Sequence, residues 1–206
     1  YDLLGRAVMQ KDVLGNYSYK TYNSAGQLQF EVDAEGYVTA YAYNTAGEQI
    51  ELRRYANAIA TVPGVVLQSG DVAARITPEQ GRDRILATYY DSAGRKILVS
   101  EISYRQDIWG EDSNYHFGAS TRFKYDVYGD LVYEGKLIEE PGDYLYQPGE
   151  YPSLSYSYTR WNKNAYFYDA AGRRIKQIDS GGFITLWEYN AQGDLIRESQ
   201  LAEAHG

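Results

Sequence analysis

Tyr22-Asn23-Ser24-Ala25-Gly26 is followed, six residues later, by Asp33-Ala34-Glu35-Gly36, and six residues after that by Tyr43-Asn44-Thr45-Ala46-Gly47. Asx-x-x-Gly is the pattern of a type I turn. The Asx side chain accepts backbone N–H groups of its own turn, and the Gly takes the left-handed position that returns a hairpin to register through a G1 bulge. Two turns of this kind bracket a run such as Tyr37-Val38-Thr39-Ala40-Tyr41-Ala42-Tyr43, which alternates and is rich in β-formers. The unit is a β-hairpin.

The same unit recurs along the chain. Tyr-Asx-x-x-Gly occurs at Tyr1-Asp2-Leu3-Leu4-Gly5, at Tyr22, Asn23 and Gly26, at Tyr43, Asn44 and Gly47, and at Tyr90, Asp91 and Gly94. It occurs again at Tyr125, Asp126 and Gly129, at Tyr168, Asp169 and Gly172, and at Tyr189, Asn190 and Gly193. Uninterrupted copies are 21 residues apart, with a second turn at Asp12-Val13-Leu14-Gly15, Asp33-Ala34-Glu35-Gly36 or Asp179-Ser180-Gly181-Gly182. A fixed period signals one supersecondary unit stacked on copies of itself. The fold class is therefore all-β: an antiparallel meander of about fourteen strands. At ~4.8 Å per strand it would be about 65 Å wide, which demands a curved sheet.

Between Tyr43 and Tyr90, Tyr90 and Tyr125, and Tyr125 and Tyr168, the strands next to the Tyr-Asx turns persist and only the second turn is replaced. Insertions at about 54–83, 101–118 and 135–161 thus decorate one rim of a single array over 1–206. In the first, Thr77-Pro78-Glu79-Gln80 reads as a helix N-terminus, and Ser69-Gly70-Asp71 as the cap of a short helical turn over Val72–Ile76. The Tyr- and Trp-rich second and third insertions (Trp109, Tyr115, Phe117, Tyr144, Tyr146, Tyr151, Tyr156, Tyr158, Trp161) read as ordered loops. Gly64, in an insertion, is expected to tolerate a side chain that Gly94 and Gly172 do not.

Twenty-three Tyr, three Trp and five Phe stand out in the composition. Sets such as Tyr43/Tyr41/Thr39 and Tyr189/Trp187/Thr185 place an aromatic row across the sheet, with ring packing and hydroxyls free to face water. The formal charge is −8 with dispersed cations, which speaks against nucleic acid and anionic membranes. Cysteine is absent and only His116 and His205 could contribute imidazole, so no zinc site is expected. His116 reads as a packing residue and His205 as part of a tail. The turn aspartates are too far apart to gather six to eight oxygens around calcium. No phosphate cradle, nucleophile elbow or membrane span is found. Neither cofactor nor enzymatic activity is expected. The chain begins on a repeat with nothing protecting its edge strand, which reads as a segment of a longer array.

With Gly5-Arg6, Gly94-Arg95 and Gly172-Arg173 extending the motif to Tyr-Asp-x-x-Gly-Arg, the chain resembles the YD-repeat, or Rhs-repeat, family over nearly its whole length. In that family the repeats spiral into a hollow shell. In bacterial polymorphic toxins and insecticidal toxin complexes the shell encloses a C-terminal toxic domain, and in teneurins a related barrel serves adhesion. The resemblance implies a structural segment of the shell wall of a large bacterial protein, secreted or at the cell surface. Its partners would be the rest of its shell and the enclosed toxin domain. Gln, Glu or Asp after the motif Gly in four copies marks that Arg as dispensable. The family's Asp-Pro motif for self-cleavage is absent, as the prolines follow Val62, Thr77, Glu140, Gln147 and Tyr151. The alternative is an adhesive module that binds carbohydrate or a cell-surface receptor through its tyrosines.

Overall fold

Each Tyr-Asx turn after the first joins two strands, and the described strands follow one another in the sheet as they do in sequence. A computed structural model describes residues 1–106, 113–137 and 161–201, apart from the side chains of 105, 106 and 113–116. Its strands are β1 (Met9–Lys11), β2 (Tyr17–Tyr22), β3 (Leu28–Val32), β4 (Val38–Tyr43), β5 (Gln49–Arg54), β6 (Arg84–Tyr90) and β7 (Lys96–Gln106). Then come β8 (Ser113–Tyr125), β9 (Leu131–Leu137), β10 (Trp161–Tyr168), β11 (Arg174–Ile178), β12 (Ile184–Tyr189) and β13 (Leu195–Leu201). Among the described strands the sheet order is β1 to β13 in sequence order, without a crossover. Thirteen strands rather than fourteen are described, because the turn at Tyr1 has a strand on its C-terminal side only.

The hairpins have the geometry that their turns dictate. Tyr19, Lys20 and Thr21 face Val32, Glu31 and Phe30; the register then slips by one between Thr21 and Tyr22, so that Tyr22 faces Leu28. The same slip precedes Tyr43, Tyr125, Tyr168 and Tyr189. In the turn after Tyr90, the Gly94 N–H donates to the Asp91 carbonyl at 3.0 Å with Gly94 at φ +76°, where a side chain would cost roughly 1–2 kcal/mol. Gly64 also sits at φ +79°, so the expectation that it tolerates a side chain is corrected: its backbone is strained for any L-residue, motif or not.

The chain divides into two compact units. In the first, which holds Tyr1–Tyr89 and the described part of Glu101–Gly118, strand alternation brings Tyr19, Phe30, Val32 and Val38 to one face. The first insertion folds over this face and adds Ile59, Leu67 and Val72 to its core. Val72 lies on α1 (Ser69–Arg75), whose N-cap is Gln68; the Gln68 N–H donates to Asp71 Oδ2 at 3.0 Å, and Ser69 Oγ donates to the Tyr22 carbonyl at 3.3 Å.

The helix expected from Thr77 is not formed. Arg82 and Asp83 N–H groups both donate to the Glu79 carbonyl, but Gly81 at φ +82° ends the turn at once. The second insertion is corrected as well. It is not loop over its described parts, since β7 and β8 run into it, with Ile102 and Phe117 buried by the alternation of the strands. Tyr89 and Phe117 place their ring centroids 6.1 Å apart.

The second unit holds Tyr90–Ser100 and the described parts of Ala119–Gly142 and Ser153–Gly206. It buries Leu98, Tyr166 and a Ser100–Ser120 hydroxyl pair at 2.6 Å. Trp161 opens β10, opposite Leu137. His205, Trp109, Tyr144, Tyr146, Tyr151, Tyr156 and Tyr158 lie outside the described residues, as do the side chains of Tyr115 and His116.

Candidate functional site: the rim of Tyr-Asx turns

The residues picked out by the repeat meet at the turns, where three groups act together. The Asx is the hub. Asp91 Oδ1 accepts from the N–H groups of Ala93 at 2.9 Å and Arg95 at 3.0 Å, and the equivalent pair of bonds forms at Asp2, Asn23, Asn44, Asp126, Asp169 and Asn190. The second turns at Asp12, Asp33 and Asp179 use the same bonds.

The residue after the Gly is the second group, and it is not indifferent. Where the hub is Asp, Arg follows: the Nε of Arg6, Arg95 and Arg173 donates to Oδ2 of Asp2, Asp91 and Asp169 at 2.7, 2.8 and 2.8 Å. Where the hub is Asn, its Nδ2 needs an acceptor, and Gln27, Glu48 and Asp194 supply one at 2.8, 2.7 and 3.0 Å. Arg is therefore not required at this position, but a donor or acceptor matched to the hub stands there in six of the copies. The signal was in the sequence, as a pairing of residue types four apart. Asp126 with Asp130 is the exception, and there Arg95 Nη1 of the preceding turn donates to the Asp126 carbonyl at 3.4 Å.

The motif Tyr is the third group, and in five copies it ties its turn to the one before. Its hydroxyl donates to a main-chain carbonyl two residues past the preceding motif Gly: Tyr22 to Ala7, Tyr43 to Leu28, Tyr125 to Lys96, Tyr168 to Leu131 and Tyr189 to Arg174, at 2.9–3.0 Å. These hydroxyls are committed to the main chain, where the expectation left them free to face water. The Arg of the preceding turn then covers the ring. Arg6, Arg95 and Arg173 lie 4.2, 4.7 and 4.8 Å from the centroids of Tyr22, Tyr125 and Tyr189, within cation–π range. On β4, Tyr41 donates to Glu31 Oε2 at 2.9 Å, and Lys20 Nζ lies 2.9 Å from Glu31 Oε1.

Electrostatics follow the bonds. The Asp91 carboxyl is held below 3.8, first by the Arg95 side chain and then by its backbone N–H. Asp2 and Asp169 are lowered first by the backbone N–H of Arg6 and Arg173. Desolvation, reinforced by Glu31, pushes the Tyr41 hydroxyl up to about 12. The turn carboxylates are anchored ions, and Tyr41 is held as a neutral donor. Among the described residues no three His, Cys, Asp or Glu side chains converge on a metal-sized site, and no helix is long and apolar enough to cross a membrane.

No family model matches the chain, and no curated protein does. Solved structures do resemble it. Against the crystal structure of TcdB2-TccC3-TEV the TM-score is 0.39 at 15% identity, covering 94% of this chain and 9% of that one. For TcdB2-TccC3 the values are 0.29 and 14%, covering 97% and 11%. For the Photorhabdus luminescens Tc holotoxin pore they are 0.29 and 13%, covering 97% and 11%. The chain thus spans about a tenth of the length of these toxin chains, and similarity of this degree assigns it to no family.

Proposed function

We propose that residues 1–206 are a load-carrying stretch of the β-shell wall of a large secreted bacterial YD-repeat protein, and that the shell encloses a toxic C-terminal domain. The observation that carries this reading is the tie between successive turns. In five copies the Tyr hydroxyl reaches the preceding turn, and Arg6, Gln27, Arg95 and Arg173 reach from their turns to the next, so neighbouring hairpins complete one another. A wall has this property, because its stability is a sum of nearest-neighbour contacts along one dimension. In this role the chain performs no chemistry. Its motif aspartates are engaged by backbone N–H groups, and three of them also by Arg, and its work is to hold a surface between cargo and solvent. Electron microscopy of the complete gene product containing these residues tests the proposal. A hollow shell with density inside is expected, and a solid rod or a string of separate domains would overturn it.

A further inference from the structure

The 54–83 insertion leaves the sheet at Arg54 and returns at Arg84, and these two arginines face each other directly in the β5–β6 register. Residues paired in this way have Cβ atoms about 4.5–5.5 Å apart, and like charges there repel. Around the pair opens a cleft of about 270 Å³ lined by Tyr37, Arg54, Tyr55, Ala56, Arg82 and Arg84. It has three guanidinium groups, two phenol rings and no carboxylate in its wall. We propose that this neck of the insertion is a binding site for an acidic saccharide, with the arginines taking the sulfate or carboxylate group and the tyrosines flanking the ring.

The counter-charges nearby leave this capacity open. Arg54 is paired only loosely with Asp33, at 3.5 Å with both side chains well exposed. Arg82 meets Glu79 with one of its terminal nitrogens, at 3.0 Å from each carboxylate oxygen. The Asp83 carboxylate is occupied by the backbone N–H groups of Ala56 and Glu79. Arg84 has no side-chain partner among the described residues. Guanidinium forks match oxyanions in geometry as well as charge, so a bound sulfate or carboxylate would relieve the Arg54–Arg84 repulsion. An acidic peptide fits less well. β5 and β6 are inner strands whose backbone is committed to the ladder, leaving no edge for an extended chain to join. Three cations on a chain of net charge −8 also make a poor phosphate-backbone track. The site is independent of the wall reading and survives if that reading fails.

Calorimetric titration of the folded chain with a disaccharide of uronic acid and sulfated hexosamine, with maltose, and with tetraglutamate tests the inference. Saturable binding of the sulfated disaccharide alone is expected, weakened about tenfold or more by Arg84→Gln and unchanged by Arg197→Gln on β13. The same disaccharide should raise the melting temperature of the wild-type chain and leave that of the Arg84→Gln chain unmoved, which separates loss of the site from loss of the fold. No binding, binding indifferent to Arg84→Gln, or tighter binding of tetraglutamate would each overturn it.

Discussion

Asn44 Nδ2 donates to Glu48 Oε2 at 2.7 Å, whereas at the equivalent positions Asp91 Oδ2 accepts from Arg95 Nε at 2.8 Å. The direction of the hydrogen bond reverses while the backbone turn stays the same. The two residues thus act as a pair, and exchanging Asp91 for Asn alone would set its Nδ2 against Arg95 Nε, donor against donor.

Asp91→Asn is therefore expected to destabilise its turn, although Asn serves well in three other copies. Adding Arg95→Gln should restore part of the loss by re-creating the Asn23–Gln27 arrangement. The measurement is hydrogen exchange at the Ala93 and Arg95 amides, which reports local opening. Undiminished protection in the single variant would show that matching does not matter.

Tyr43→Phe removes the 2.9 Å bond to the Leu28 carbonyl and keeps the ring. A loss of about 1 kcal/mol is expected for one net hydrogen bond, appearing as easier proteolysis in the β3–β4 hairpin and not in β10–β13. Uniform weakening of the whole chain would argue against ties between neighbours.

Gly36→Ala should be more damaging than the same change at Gly5. Both glycines lie at positive φ, but a Cβ at Gly36 would sit 2.4 Å from the Ile59 carbonyl oxygen, while at Gly5 nothing stands within 4 Å. Because Ile59 N–H donates to the Gly36 carbonyl at 2.8 Å, the substitution should also loosen the first insertion. Leu67→Ala, which empties a buried site in the same core, should cost about 2–5 kcal/mol. Gly70, helical with open space around it, is the permissive control. Thermal melts of the four variants give the ranking, and parity between Gly36→Ala and Gly70→Ala would contradict the structure.

Acid should release the turns. The Asp91 carboxyl is lowered first by the Arg95 side chain, and those of Asp2 and Asp169 first by backbone N–H groups. A carboxyl whose folded pKa lies below its unfolded value of 3.8 adds stability above 3.8 and loses it as pH falls through the folded value. Melting temperatures should accordingly fall below pH 3.8, and the fall should be shallower in a chain carrying Asp169→Asn with Arg173→Gln.

In alkali the sign reverses. Tyr41, pushed up to about 12 by desolvation and by Glu31, contributes fully below the ordinary phenol value of 10.0 and loses its contribution as pH rises through about 12. The difference in phenolate absorbance between wild type and Tyr41→Phe should show this late titration, and Glu31→Gln should shift it to lower pH.

The sequence by itself determined the hairpins, because a turn is a local object. An Asx that accepts its own N–H groups and a Gly at positive φ lie within four residues of each other, and the 21-residue spacing did the rest. It also contained the donor–acceptor rule, visible once Asp/Arg and Asn/Gln, Glu or Asp are compared four residues apart. Helix signals misled at Thr77-Pro78, where a locally good N-terminus meets Gly81 one turn later, while Ser69–Arg75 forms a helix through Val72 in the core. Only the tertiary structure decided what the tyrosines hold and what the insertion covers. A hydroxyl such as that of Tyr168 finds the Leu131 carbonyl 37 residues away, and Arg54 comes to face Arg84, 30 residues further along the chain, because β5 and β6 pair. Such partners are set by sheet register, which no run of residues encodes until its neighbours have folded beside it.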